Sequence, residues 1–246
     1  MLLIFIFLLL VLCYGVSQYA LRRYEEMPRR GGAEPGPLAH TGAEMAEIFL
    51  REEGVGDVRV VEHDSVVSDY FDAGRRCLFL RPRTAQGTTL AAWAVALHEA
   101  AHATQTGDAK ADLKWRRTVI GLNRYGPGIG VFASAALLLV LRSQFRLALV
   151  AFVALCVVLL LLNLGTLAVE FNANARLRRF LEQHLARWPD AQDRLRNCLS
   201  AVATREVGDM LRSHRYFLFS ALPGTGKLRP DGTEGERRPR ERDAGK

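Results

Sequence analysis

Three long apolar segments constrain the fold of this 246-residue chain more than any other feature. They cover residues 1–21, 126–141 and 147–169. About 20 consecutive apolar residues in a helix cross a bilayer, and a somewhat shorter segment is accommodated by local thinning of the bilayer. The pattern therefore predicts an N-terminal transmembrane anchor and a later transmembrane helical hairpin, whose two arms are joined by the short loop RSQFR.

The alternative interpretation of residues 1–21 is a cleavable signal peptide. This segment has no basic residue before its apolar run and no small-x-small cleavage site after it, and Arg22 and Arg23 follow directly. An uncleaved anchor is therefore expected. Because Lys and Arg are enriched on the cytoplasmic side of membrane helices, the two arginines place residues 22–125 in the cytoplasm.

The polar stretches between the apolar segments predict further helices. Thr41 and Glu44 have the spacing of a capping box, which marks the start of a helix. A second helix is expected to begin near Thr88 or Thr89, both plausible N-caps, and to run to Gly107. These helices carry apolar residues at helical spacing, as expected for a domain that is mainly α.

A small amount of β-structure is predicted between these two helices. Residues 58–62 form one candidate strand, and residues 66–81 have the pattern of a β-hairpin with its turn at 72–75. The Pro- and Gly-rich residues 28–40 are expected to be a linker.

The C-terminal part of the chain is polar and basic, and the whole chain carries a formal net charge of +7. Residues 170–222 are expected to be helical, whereas the charged, Gly- and Pro-rich residues 223–246 are expected to be disordered. A basic surface can attract nucleic acid or anionic lipid. No helix-turn-helix and no basic strand with interleaved aromatic residues accompanies it, so we expect a solvated flank beside the membrane and no nucleic-acid partner.

Residues 98–102 carry the clearest chemical signal, because they read His-Glu-Ala-Ala-His. On an α-helix, His98 and His102 share one face, where their imidazoles can converge on a zinc ion. Glu99 lies beside them and can accept and return a proton during hydrolysis. The preceding residues 90–97 are apolar throughout, so the helix is expected to be buried, and burying these side chains without partners would be costly. A zinc site with Glu99 as general base is therefore favoured over two surface histidines.

A catalytic zinc usually has three protein ligands and an open fourth position. Several residues could supply the third ligand: His40, His63, His184, His214 and a number of carboxylates. Glu170 is favoured, since it ends an apolar segment, where an ionisable group is expensive and usually functional. The alternative is that Glu170 only marks the membrane boundary.

The predicted topology is consistent with Glu170 as the third ligand. Two apparent crossings separate His102 from Glu170, so the chain returns to the side of the membrane from which it left. Asn174 lies one helical turn beyond Glu170, where it could orient a zinc ligand through a hydrogen bond.

The chain resembles the neutral zinc metallopeptidase family of bacterial membrane proteins. Four segments carry the resemblance: TGAEMAEIFL (41–50), SDYFDAGRRCLFLRP (68–82), ALHEAAHATQ (96–105) and LAVEFNANARLRRFLE (167–182). Together with the intervening apolar hairpin they extend the similarity over residues 1–190. The resemblance implies that His98, His102 and Glu170 hold Zn²⁺ and that Glu99 is catalytic.

The chain departs from the pattern of the family at three places. Ala101 stands where the family usually has Gly, and Asn174 stands where a small Ser is common. Relatives also tend to carry another apolar segment near residues 198–222. Here that segment is interrupted by charged residues, which argues against a fourth crossing: Arg205, Glu206, Asp209, Arg212 and Arg215.

Taken together, these patterns and the resemblance predict a mainly α protein with a small β-hairpin or sheet. A zincin-like metallopeptidase domain would be split by a transmembrane helical hairpin and preceded by a membrane anchor. The predicted segments are the anchor (1–21), the catalytic part (22–125), the hairpin (126–169), the helical part with the third ligand (170–222) and the tail (223–246).

The expected function is hydrolysis of peptide bonds in a protein or peptide substrate, at the bacterial inner membrane, by a multi-pass protein whose site faces the cytoplasm. Two alternatives stay open at this point. One is a membrane protein that binds zinc without catalysis, and the other is a protease whose zinc lies inside the bilayer.

Overall fold

The computed structural model describes residues 2–64, 68–105, 108–140, 145–205 and 207. Its helices are α1 (Leu2–Glu25), α2 (Gly42–Glu52), α3 (Pro82–Ala85), α4 (Leu90–Ala101), α5 (Asp108–Val140), α6 (Phe145–Arg176), α7 (Arg178–His184) and α8 (Pro189–Ala203). Its strands are β1 (Arg59–Glu62), β2 (Tyr70–Asp72) and β3 (Cys77–Leu80). A short π-helical turn spans Pro28–Gly32, and a 3-10 turn spans His102–Thr104. The prediction of a mainly helical protein with a small sheet is confirmed.

Helix α2 begins with the capping box that the sequence predicts. The Thr41 hydroxyl accepts a hydrogen bond from the Glu44 backbone N–H at 3.3 Å, and the Glu44 carboxylate accepts one from the Thr41 N–H at 2.7 Å. The apolar face of the helix is buried, and the Phe49 ring meets that of Phe180 edge-on at a centroid distance of 5.4 Å. The capping box therefore sets where this helix begins, and burial of its apolar face holds it against the core.

Helix α4 begins after Thr89, whose hydroxyl accepts a hydrogen bond from the Ala92 N–H at 3.3 Å. It is an α-helix only to Ala101, so the prediction of a helix running to Gly107 is wrong. The Thr104 hydroxyl donates to the Ala101 carbonyl at 2.8 Å, and this local bond competes with continuation of the helix. Residues 106–107 lie outside the described residues.

The three strands form one sheet in the order β1-β3-β2. The central strand β3 is fully buried. It pairs with β1 in parallel and with β2 in antiparallel orientation. In the turn between β2 and β3, the Asp72 carboxylate accepts hydrogen bonds from the N–H groups of Gly74 and Arg75. The predicted strand and hairpin are confirmed, although the hairpin is shorter than residues 66–81 and residues 65–67 lie outside the described part.

Helices α5 and α6 pack as an antiparallel hairpin. Gly126 lies against Leu159 and Gly130 against Leu155, where a Cβ at Gly130 would come within 2.4 Å of Leu155 Cδ2. Glycine thus allows the close approach of the two helices. Both helices are longer than predicted, since α5 includes residues assigned to the catalytic part.

One helical stretch among the described residues, Arg146–His184, is long and apolar enough to cross a membrane by length and composition. Within the most apolar 18 residues of this stretch, 28% is buried inside the protein. Apart from Trp188, the large apolar side chains recorded as exposed all lie on α1, α5 or α6. The crossing of the membrane by α1 and by the hairpin stays a prediction.

A single apolar core joins α2, α4, α7, α8 and the sheet. Trp93 on α4 is fully buried, and its indole N–H donates to the His40 carbonyl at 2.9 Å. The C-terminal end of α6 enters the same core through Ala173, and Leu177, directly after the helix, is buried there as well. This arrangement places the end of α6 directly against α4.

Candidate metal centre

Three predicted site residues converge where α6 meets the end of α4. The candidate ligand atoms of His98, His102 and Glu170 all lie within 4.8 Å of one another. Glu170 Oε2 is 2.9 Å from His98 Nε2 and 3.4 Å from His102 Nε2. Each of the three side chains is at most 1% exposed, so the cluster is sealed from bulk water in this structure.

The end of α4 and the 3-10 turn after it present the two histidines side by side. Their ring centroids are 4.9 Å apart and their planes are nearly perpendicular, at 83°. The Arg176 side chain on α6 donates to the Thr104 carbonyl at 2.8 Å. That contact fastens the turn to α6 and helps to set the position of His102 relative to Glu170.

Asn174 holds the far side of the His98 ring. Its Oδ1 lies 2.8 Å from His98 Nδ1, and its Nδ2 donates to the Leu199 carbonyl of α8 at 2.9 Å. Because the amide nitrogen has this acceptor, the amide oxygen faces the imidazole. His98 Nδ1 is therefore the protonated nitrogen, and Nε2 directs a lone pair towards Glu170.

Gln105 holds His102 in the same way. Its Oε1 lies 2.8 Å from His102 Nδ1, and its Nε2 donates to the Val169 carbonyl at 3.0 Å and to Asn172 Oδ1 at 3.1 Å. The same assignment makes His102 Nε2 a lone-pair donor. Sequence reasoning missed this role of Gln105, although its position three residues after His102 was the available signal.

The donor atoms fit a bound cation. His98 Nε2 and Glu170 Oε2 face each other at 2.9 Å, so both atoms can direct lone pairs at a cation held between them. Within the described part of the chain, the buried His102 Nε2 has no hydrogen-bond partner. Two imidazole nitrogens and one carboxylate oxygen are a donor set that zinc accepts, with a fourth position left over.

The environment also keeps His102 in the form that binds a metal. Burial lowers the pKa of His102, and the positive charge of Arg116 lowers it further, against the opposing effect of the Glu170 carboxylate. A neutral imidazole at neutral pH is the protonation state required of a ligand.

Arg116 of α5 is a further member of the site that sequence reasoning missed. Its Nε donates to Glu170 Oε1, and the side chain is mostly buried. Since Oε1 is engaged by the guanidinium, Oε2 is the carboxylate oxygen directed at both histidines. The signal in the sequence was weak, because Arg116 is one of several basic residues in the polar first part of α5.

Glu99 is buried next to the cluster and pairs with an arginine from beyond the end of α8. Arg205 Nη2 lies 3.1 Å from Glu99 Oε1. Glu99 Oε2 is buried and has no hydrogen-bond partner within the ranges that the structure describes. One oxygen of this carboxylate is thus held by the arginine.

The other histidines considered as ligands lie elsewhere. His40 is half-exposed near Glu44, and His184 Nε2 lies 2.8 Å from Glu52 Oε1. The His63 ring packs against the Phe79 ring of β3. His214 lies outside the described residues.

Comparison with known proteins agrees with the geometry. The sequence profile of a family described as "Putative neutral zinc metallopeptidase" matches residues 1–219. The chain belongs to this family. Zinc is the metal of the family, and the cluster of His98, His102 and Glu170 is where this member can bind it. The resemblance inferred from the four sequence segments is confirmed.

One relative from the family shows how far the similarity extends. The chain is 26% identical over 211 residues to "Putative membrane protease YugP" of Bacillus subtilis (strain 168). The aligned part covers 85% of this chain and 92% of that protein. No solved structure matches the chain.

Proposed function

We propose that the chain is a membrane-embedded zinc peptidase that hydrolyses peptide bonds in protein or peptide substrates. The observation that carries this proposal is the buried convergence of two imidazole Nε2 atoms and one carboxylate oxygen beside Glu99. A purely structural zinc site has no need of this additional buried carboxylate. Membership of a metallopeptidase family supports the same conclusion.

In this proposal, His98, His102 and Glu170 are the metal ligands. Asn174 and Gln105 orient the two imidazoles through their Nδ1–H groups, and Arg116 holds the second oxygen of Glu170. When bound, zinc would acidify a water molecule and polarise the carbonyl of the scissile peptide bond. Asn174 stands where the family commonly has Ser. The exchange is compatible with this role, since an amide oxygen accepts a hydrogen bond as a hydroxyl oxygen does.

Glu99 would act as general base and then as general acid. Its carboxylate takes one proton from the attacking water and delivers a proton to the amide nitrogen as the C–N bond breaks. The buried position of Glu99 keeps bulk water away from this transfer. It also means that a peptide must displace part of the cover of the site in order to reach it.

The proposed membrane arrangement has α1, α5 and α6 in the bilayer, with the site facing the cytoplasm. Apolar side chains such as Phe5, Phe132 and Leu161 are exposed on these helices, which suits contact with lipid. The relative from Bacillus subtilis is named "Putative membrane protease YugP", which supports this arrangement. Arg22 and Arg23 at the end of α1 favour the cytoplasmic orientation.

The catalytic proposal is tested on detergent-purified protein with a mixture of quenched fluorescent peptides and with metal analysis. Glu99→Gln should lower the rate of hydrolysis by about 10²–10⁴-fold, the usual contribution of a general acid–base group, with the zinc content unchanged. Glu170→Ala and His98→Ala should lose zinc.

Two matched controls accompany these variants. Glu47→Gln changes an exposed glutamate of α2, and His184→Gln changes a histidine outside the cluster, so both should keep zinc and activity. If Glu99→Gln were as active as the wild type, Glu99 would not be the base. If the wild type held zinc but cleaved no peptide, the non-catalytic alternative would replace this proposal.

The orientation is tested with a cysteine at position 47 in intact cells. Glu47→Cys places a thiol on the exposed face of α2, and the proposal expects protection from a membrane-impermeant maleimide until the cells are opened. Labelling of intact cells would place α2, and the site with it, on the outer side of the membrane.

A further inference from the structure

We infer that Arg205 is a catalytic residue, whose guanidinium donates hydrogen bonds to the carbonyl oxygen of the scissile peptide bond as that oxygen gains negative charge. The inference rests on the proposed peptidase function and adds to it the group that stabilises the oxyanion. Arg205 lies just beyond the C-terminal end of α8, and its side chain is only 8% exposed.

Among the described residues, two buried arginines each meet a buried carboxylate of the site, and they differ in what they hold. Arg116 donates to Glu170, a proposed metal ligand, so it serves the metal side of the centre. Arg205 donates to Glu99, the proposed base, at 3.1 Å. Of these two cations, Arg205 is therefore the one on the side where water attacks the substrate.

Proximity to the base places Arg205 within reach of the reacting carbonyl. The oxygen of the attacking water and the carbonyl oxygen become bonded to the same carbon, and Glu99 must contact the first of them. A donor in hydrogen-bond contact with Glu99 is thus close to the second. The guanidinium carries five N–H groups in a rigid fork, so contact with Glu99 through Nη2 is compatible with donation from another edge of the same group.

The movement of charge during hydrolysis favours this role. A C–O bond forms between water and the carbonyl carbon, Glu99 takes one water proton, and negative charge passes from the Glu99 carboxylate to the carbonyl oxygen. Arg205 keeps all its protons, because a guanidinium is protonated at every accessible pH. Its interaction with the substrate therefore strengthens in the transition state, which is the property that accelerates a reaction.

The surroundings hold the guanidinium in place before the substrate arrives. Its central carbon lies 5.8 Å from the centroid of the Tyr24 ring at the end of α1, an arrangement that attracts a cation to the ring face. Burying an arginine is costly unless it is paired, and Glu99 is one partner of Arg205. A donor that is fixed in advance need not reorganise during the reaction.

The test compares Arg205→Gln, Arg205→Lys and the control Arg196→Gln in zinc-loaded, detergent-purified enzyme. Arg196 lies on the same helix α8, is half-exposed and contacts Glu182 and Asp193 instead of the site. For each protein, the zinc content, kcat and KM for a cleaved peptide are measured. The inhibition constant of a phosphinic peptide with the same sequence, which mimics the tetrahedral transition state, is measured alongside.

Arg205→Gln should lower kcat by about 10²–10³-fold, as removal of an oxyanion donor does, with KM within about threefold of the wild-type value. The phosphinic peptide should bind more weakly by the same factor as kcat/KM falls, and zinc content should not change. Arg205→Lys should recover part of the loss, since it restores the charge without the fork. Arg196→Gln should match the wild type.

Several outcomes would overturn the inference: a kcat of Arg205→Gln within threefold of wild type, a loss confined to KM or zinc content, or a fall in kcat without weaker binding of the phosphinic peptide. If Arg205→Gln does not fold, the test uses Arg205→Lys alone. A kcat of Arg205→Lys equal to that of the wild type would then contradict the inference. If the wild-type enzyme itself cleaves no peptide, the proposed function fails instead.

Discussion

The helices of this protein fall into two groups that handle apolar side chains in opposite ways. In α2, α4 and α8, called the core helices below, large apolar residues such as Phe49 and Trp93 are fully buried. In α1, α5 and α6, called the apolar-surfaced helices, residues such as Phe5 and Leu161 are each 60% exposed. Burial from water stabilises the first group, whereas the exposed apolar surface of the second group suits the proposed contact with lipid.

Helix α6 belongs to both groups, and the metal centre lies where it changes from one to the other. Its middle exposes Leu161, whereas Ala173 and Leu177 near its end are fully buried in the core. Glu170 lies at this change and contacts His98 of α4. The comparison shows that neither group of helices contains the candidate centre alone, since the candidate ligands come from both groups.

The largest expected effect is on the core helices. Trp93→Ala should lower the free energy of unfolding by about 3–5 kcal/mol, because it empties a fully buried site and removes the hydrogen bond to the His40 carbonyl. Leu161→Ala on α6 should change it by less than about 0.5 kcal/mol. Denaturant unfolding in detergent micelles measures both, and equal losses would erase the distinction between the two groups.

A charge on the surface of α6 tests whether lipid surrounds it. Leu161→Lys should cost about 2.5–3.5 kcal/mol of insertion free energy if this face lies near the centre of a bilayer. A membrane-insertion assay with the full chain measures the inserted fraction. Gln183→Lys on the exposed surface of α7 is the control and should insert normally. Normal insertion of Leu161→Lys would show that this face does not meet lipid.

At the end of α6, where the two groups of helices meet, Asn174→Ala should weaken zinc binding by about 10–100-fold. This is the usual effect of losing a partner that orients a ligand. The reason is the loss of the 2.8 Å contact with His98 Nδ1. Competition with a fluorescent zinc chelator gives the affinity, and Gln183→Ala serves as the control. An unchanged affinity would mean that the core alone fixes the His98 ring.

The smallest effect contrasts one substitution in the two groups. Thr41→Ala removes the cap of α2 and should cost about 1 kcal/mol of the free energy of unfolding. Thr118→Ala on α5 removes only a bond to the Lys114 carbonyl inside an existing helix, so almost no change is expected. Thermal unfolding of the two variants gives the comparison, and a larger loss for Thr118→Ala would reverse the expected order.

Much of the fold was predictable because its signals are local. The capping box at Thr41 and the N-cap at Thr89 depend on residues three positions away, and both are present as predicted. The end of α4 was misjudged because the Thr104 hydroxyl competes for the Ala101 carbonyl. The full length of α5 and α6 was missed since charged residues diluted the apolar signal at their polar ends.

Some residues of the candidate site were easier to predict from the sequence than others. His98, Glu99 and His102 follow from helix geometry alone, because residues four apart share one face. Glu170 and Asn174 were inferred from cost and spacing, and the structure brings both to His98. Arg116 and Arg205 could not be inferred, since their partners are distant in the sequence. Gln105 lies only three residues from His102 and was missed all the same.

The sequence by itself determined the two histidines, their neighbouring glutamate and the apolar segments around them, because each depends on the periodicity of one helix. Only the tertiary structure decided which nitrogen of each ring faces the site and which arginine meets each carboxylate. The two arginine pairings, like the contact of Glu170 with His98, join residues more than 50 positions apart. Such contacts exist only after the core helices and the apolar-surfaced helices have packed together.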